Sequence, residues 1–154
     1  MVGIFLQTSA AGHGRMILRA HHLICILGFR GLGYSTDYVA NMSKIVGQLR
    51  SSPQTLIQVV SEPDDICAPC PFLREGGCRE KGPESEEVVR NRDCAVMERL
   101  DVMAGDELTW AEVESRIRSS ISPEDLDRIC QDCQWLPLGY CTDGLKRLRE
   151  QEHY

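Results

Sequence analysis

Two stretches of this chain lie over one another without a gap, and each carries three cysteines at the same spacing. Asp64–Cys78 reads DDICAPCPFLREGGC, and Asp127–Cys141 reads DRICQDCQWLPLGYC. The two share an Asp, an Ile, the cysteines of C-x2-C-x7-C, an aromatic followed by Leu, and a Gly two residues before the last Cys. A C-x2-C turn sets both sulfurs on one side of a tight loop, and the Gly lets the backbone swing toward whatever they hold. Three thiols are an incomplete ligand set, because tetrahedral zinc or a cubane iron–sulfur cluster takes four protein ligands. Two such triads, Cys67, Cys70, Cys78 and Cys130, Cys133, Cys141, demand a fold that brings further residues to them. The pattern points to metal.

The competing use of eight cysteines is a disulfide framework. A chain of 154 residues does not need one, since a globule of that size buries roughly 68–70% of its unfolded surface. The opening Met1–Leu6 lacks a basic segment, and its apolar run is too short for a signal peptide. The expected compartment is therefore the reducing cytosol, where clustered cysteines serve as metal or redox sites. A net charge of −6 argues against a nucleic-acid footprint. No apolar run approaches the length of a membrane span.

Taken in order, residues 1–15 have no hydrophobic period and read as a disordered leader ahead of one domain over 16–150, with Met16 a possible working start. Met16–Arg19 reads as a short strand, and Ala20–Leu27 as a two-turn helix with Gly28 as its C′ stop. On that helix His21 and His22 lie four and three residues before Cys25, over the same face. The trio can supply missing ligands, or Cys25 can be a small core hydrophobe beside a hydrogen-bonded His. Ser35 caps a helix from Thr36 to about Arg50, whose stripe of Tyr38, Met42, Ile45 and Leu49 reads as core. Thr55–Val60 is a β-rich run, expected to pair with residues 16–19.

The first triad and the glycines after it form a loop to about Glu84. A helix over Ser85–Leu100 turns Val89, Val96 and Leu100 inward, which leaves Cys94 roughly 130° from the centre of that stripe and a poor ligand. Thr109–Glu112 is a capping box opening a helix to about Ser119. Ser122-Pro123 opens another that ends at the second triad. A last helix runs from Leu145 to about Glu150. The expected architecture is α+β and predominantly α-helical, with a small two-stranded sheet and two Cys-rich metal-binding loops.

Thiolates favour zinc, Cu(I) and iron–sulfur clusters. Structural zinc usually takes two short pairs, whereas three local cysteines and one distant one suit a cluster, and Cys70-Pro71 matches the Cys-Pro of bacterial ferredoxins. Cys25 can complete one site and His21, His22 or Cys94 the other; a single cluster shared between the triads is equally permitted. Asp64 and Asp127 stand three residues before the first Cys of each copy, either as braces of the binding loop or as ordinary turn caps.

Four segments together carry a family resemblance: Arg19-Ala20-His21-His22-Leu23-x-Cys25; Gly28-Phe29-x-Gly31-x-Gly33-Tyr34-Ser35; Asp64-Asp65-Ile66-Cys67-x2-Cys70-Pro71; and Ile129-Cys130-x2-Cys133-x-Trp135-Leu136-Pro137-x-Gly139-x-Cys141. Over residues 16–150 the chain resembles the domain of unknown function 1284 family, small bacterial and archaeal proteins. The resemblance implies iron–sulfur binding and assigns no reaction. The leading expectation is a cytoplasmic protein binding an iron–sulfur cluster of the 4Fe-4S type, transferring electrons to a redox partner or sensing redox state, with no nucleic acid or membrane involved. The alternatives are a structural zinc protein that acts as an interaction module, and a thiol-dependent enzyme built on His21, His22 and Cys25 or on a C-x2-C pair.

Overall fold

A computed structural model describes residues 15–31, 35–70, 73–74, 77–78, 85–129 and 139–150. It is mostly helical, with a small three-stranded sheet. Strand β1 (Met16–Arg19) runs without a loop into helix α1 (Ala20–Gly28), and helix α2 (Thr36–Ser51) leads back to strand β2 (Leu56–Val60). The two strands pair in parallel, with Met16 opposite Ile57 and Arg19 opposite Val60. Ile57 and Val59 point into the core and are fully buried, which is why so short a run holds as a strand.

The sheet has a third strand where two were expected. Strand β5 (Glu107–Thr109) adds antiparallel to β2, pairing Leu56 with Thr109 and Gln58 with Glu107. Only Leu108 of its three residues is buried, so its periodic signal is too brief to read from sequence. The glycine-rich stretch after the first triad also contains a minimal hairpin, strands β3 (Leu73–Arg74) and β4 (Gly77–Cys78), with Leu73 opposite Cys78.

The remaining helices are α3 (Ser85–Leu100), α4 (Trp110–Ser120), α5 (Pro123–Ile129) and α6 (Tyr140–Glu150). Ser35 caps α2 through the Tyr38 amide, and Thr109 and Glu112 form the full capping box of α4. Helix α1 sits centrally, packed on α6 and α3, with Leu23, Ile24 and Ile26 in a core shared with Leu49, Ile117, Leu126 and Leu145.

Two boundaries differ from expectation for one reason. Gly28 is the last residue of α1, not a C′ stop. A Cβ there would stand 2.6 Å from the Cys141 Cα. Helix α6 starts five residues early, at Tyr140, and holds Gly144 in its interior, where a Cβ would stand 2.2 Å from the Leu27 carbonyl oxygen. Both glycines permit backbone-to-backbone contact between α1 and α6, so packing and not local stop chemistry placed them.

Among the described residues no helix is long and apolar enough to cross a membrane. Residues 1–14 of the expected leader lie outside the described residues, as does the stretch 130–138 that carries Cys130 and Cys133.

Candidate metal centre

The start of α1 has no side-chain cap of its own, because Arg19 stands at the N-cap. Two distant aspartates take that role. The Arg19 amide donates to Asp64 Oδ2 at 2.6 Å, and the His21 amide donates to Asp93 Oδ1 at 2.9 Å. Each satisfies an N–H that the helix start leaves without a partner, at the end where the helix dipole favours negative charge.

Asp64 reaches in two directions at once. Its Oδ1 accepts from the Ile66 and Cys67 amides, both at 3.0 Å, and its Oδ2 also accepts from His22 Nδ1 at 2.8 Å. Burial alone would raise this carboxyl, but the His22 ring and the Arg19 and Cys67 amides outweigh it and hold it at about 2. One side chain therefore shapes the cysteine turn and bolts it to α1. The turn is closed by Cys67 N donating to Asp64 O at 3.0 Å and Cys70 N to Cys67 O at 2.8 Å, which sets Cys67 and Cys70 at the two ends of one hydrogen-bonded turn. Asn41 of α2 clamps the turn by donating to Asp65 O at 2.8 Å.

Tyr38 lies one helical turn before Asn41 and is 6% exposed. Burial, followed by the negative charge of Cys25, Cys67, Cys70 and Asp64, pushes its phenol far above the ordinary range. Thiols from two separate parts of the chain are thus electrostatically coupled to one buried phenol, which keeps its proton. The stripe on α2 is core along its length, Tyr38 included, and its Tyr38 end is the part coupled electrostatically to the cysteines. Cys25, Cys67, Cys70 and Cys141 are all part-buried thiols. Burial and then Asp64 push the Cys67 thiol well up. Cys141, in the first turn of α6, has its backbone against Gly28, three residues beyond Cys25 on the same face of α1.

The two histidines make parallel arrangements. His22 Nδ1 meets Asp64, and His21 Nδ1 meets Asp93 Oδ1 at 2.7 Å, with the ring centroids 4.3 Å apart. An ionised carboxylate only accepts, so each Nδ1 donates and a neutral ring keeps its lone pair on Nε2. Histidines that bind metals are oriented in this way. Burial and the neighbouring His22 outweigh Asp93 and hold His21 at about 4, neutral at pH 7. Asp93 has no need of a charged His, because its Oδ2 takes Arg19 Nε at 2.8 Å. Arg19 also makes a two-pronged pair with Glu86 at 3.1 and 2.8 Å, and Arg90 approaches Glu86 at 3.4 Å. Two guanidiniums thus balance two carboxylates.

His22, Asp64 and Cys67 each offer a ligand atom, all within 4.8 Å of one another. This is the compact donor group found among the described residues. Cys78 is carried on β4, whereas Cys130 and Cys133 lie outside the described residues. Cys94 is exposed on α3, as its angle from the stripe implied.

The two copies of the repeat are not equivalent. Asp64 is 8% exposed and Ile66 fully buried. Asp127 is exposed and Ile129 half-buried, both within α5. Gly139 does adopt the left-handed φ of 81° that a sharp turn before Cys141 requires.

Sequence reasoning did not assign Glu86 or Asp93 to the site, although a signal was present. They fall at positions 86 and 93 of the same stripe as Val89, Val96 and Leu100, where an inward face should be apolar.

Residues 33–139 match the family described as a protein of unknown function, DUF1284. The chain belongs to the DUF1284 family. The matched span is narrower than residues 16–150, so Cys25, His21 and His22 lie before it and Cys141 just after it. No curated protein and no solved structure matches the chain.

Proposed function

We propose that this DUF1284 protein binds an iron–sulfur cluster, of the 4Fe-4S type, and uses it to pass electrons to a partner protein or to register redox state in a reducing cytoplasm. The observation that carries the reading is the hydrogen-bonded turn that holds Cys67 and Cys70 together and is tied to α1 through Asp64, with Cys25 on that helix coupled electrostatically to the same buried Tyr38 as the two turn cysteines. Three thiolates and the Asp64 carboxylate cannot all ionise in one part-buried site unless positive charge arrives with them, and iron supplies it. Without metal the Cys67 thiol is held protonated, which fits a site that releases protons as it loads. Cys141 is the fourth ligand that α1–α6 packing favours, drawing one residue from the second triad to the first. Cys78, Cys130 and Cys133, the other thiols of the two triads, remain as ligands for a second site or as alternates at the first.

A zinc reading has one specific observation in its favour, the His22–Asp64–Cys67 group. Its mixture of nitrogen, oxygen and sulfur suits zinc, which would make the protein an interaction module held together by metal. The thiol-enzyme reading has least support. A nucleophilic cysteine needs its thiol pushed down, and Cys67 is pushed the other way.

Metal analysis of protein purified without air decides between the first two. The cluster reading expects iron and acid-labile sulfide, a brown colour that dithionite bleaches, and a paramagnetic resonance signal on reduction. Colourless protein with one zinc per chain contradicts it and supports the zinc reading.

A further inference from the structure

Arg19 is linked to both arms of the first triad through two carboxylates, each held by a different part of the residue. Its amide fixes Asp64, whose Oδ1 shapes the Cys67–Cys70 turn. Its guanidinium fixes Glu86, and Glu86 in turn lies against the β3–β4 hairpin. A Cβ at Gly77 would stand 2.6 Å from Glu86 Oε1 and 2.5 Å from its Cγ, and Gly77 has a φ of 118°. Both the contact and the backbone angle require glycine there. Gly77 is the residue before Cys78. Arg19 is 1% exposed and the Glu86 side chain 6%, so the pair is built into the interior and does not decorate a surface. A buried pair contributes little net stability compared with apolar residues of the same size, and its most defensible use is to fix one arrangement.

We propose that Glu86 is a positioning residue: held by Arg19 and seated on Gly77, it fixes the hairpin that carries Cys78 in register with the Cys67–Cys70 turn. The assignment deepens the reading of the first triad as a ligand set, but its test reads the protein without metal and so stands or falls separately. The pair acts between two places 67 residues apart in sequence, and the hairpin itself is too small to hold its own geometry. A two-stranded ribbon is marginal in water even at greater length.

The test is amide hydrogen exchange on metal-free protein, combined with mapping of cysteine alkylation. Glu86→Gln keeps the shape and removes the charge. Exchange at residues 73–74 and 77–78 should quicken by about tenfold or more and Cys78 should alkylate faster, while the amides of β2 and α4 keep their protection. Ile117→Val, a core change remote from the hairpin, serves as the control for general loosening, and Glu87→Gln as the control for lost helix charge. If Glu86→Gln left residues 73–74 and 77–78 as protected as in the parent, or loosened the whole molecule in the pattern of Ile117→Val, the assignment would be overturned. Should Glu86→Gln fail to fold, Glu86→Asp, which draws the carboxylate one methylene back from Gly77 and Arg19, must give the same local signature, and absence of that signature overturns the assignment. Iron loading enters neither outcome, so loss of the cluster reading would leave this result interpretable.

Discussion

Asp64 and Asp127 occupy the same place in a repeated motif, yet their environments predict opposite behaviour. Asp64 accepts four hydrogen bonds in a buried position, and Asp127 is exposed on α5. Asp64→Asn should cost about 2–4 kcal/mol, since it leaves buried donors poorly paired, while Asp127→Asn should fall within about 0.5 kcal/mol of the parent. Urea unfolding of the two variants measures the difference. The sequence offered bracing and capping as alternatives for these residues, and Asp64 does both, one oxygen capping the turn and the other reaching α1. Its second oxygen was illegible because Arg19 and His22 are more than forty residues away. His21 makes a separate prediction about acid. Its pKa falls from 6.5 to about 4 on folding, so the unfolded chain takes up a proton first as pH drops. Stability is therefore lost across that window, by about 3 kcal/mol in metal-free protein. Asp64 acts below it: its depressed carboxyl gives stability above 3.8 that disappears as pH approaches 2. Urea midpoints between pH 7 and 4 should fall steeply for the parent and more shallowly for His21→Gln.

At the scale of helices and strands, two glycines separate packing from propensity. Gly144→Ala would drive a Cβ to within 2.2 Å of the Leu27 carbonyl and push α6 off α1, at a cost of about 3 kcal/mol or more. Gly47, in the exposed interior of α2, has nothing within 4 Å of the site of a Cβ, so Gly47→Ala should stabilise by about 0.5–1 kcal/mol. Thermal melts of both variants check the pair of signs. The same contrast explains which elements were legible. Helices α2 and α4 announce themselves by caps and a 3.6-residue period, and both appear where those signals put them. Strand β5 buries one side chain and owes its existence to β2. The start of α6 at Tyr140 was hidden because Gly144 looked like a boundary when it is a contact point. Arg30 supports that early start, with its guanidinium 4.5 Å from the centre of the Tyr140 ring and paired with Asp143.

Across the whole molecule, a central short helix gathers what the chain keeps far apart. α1 receives Asp64 and Asp93 at its first turn, carries Cys25, whose thiol is coupled to Tyr38 as are those of Cys67 and Cys70, and takes Cys141 against its last residue. The cysteine spacing was visible from sequence alone, and so was the need for outside ligands. Cys25 on the first helix was legible there as a candidate outside ligand; the approach of Cys141 to the end of α1 was not, because only tertiary packing joins α6 to α1. Cys94 is the internal control, a thiol of the same chain that stays exposed on α3. The central proposal is that Cys25 is a ligand of the proposed cluster, and iron and sulfide analysis of air-free Cys25→Ser and Cys94→Ser tests it most directly. Cys94→Ser should retain the parent's complement of about four irons and four sulfides per cluster, and Cys25→Ser should lose most of it or bind a cluster of altered spectrum. Full, spectroscopically unchanged loading of Cys25→Ser would contradict the account.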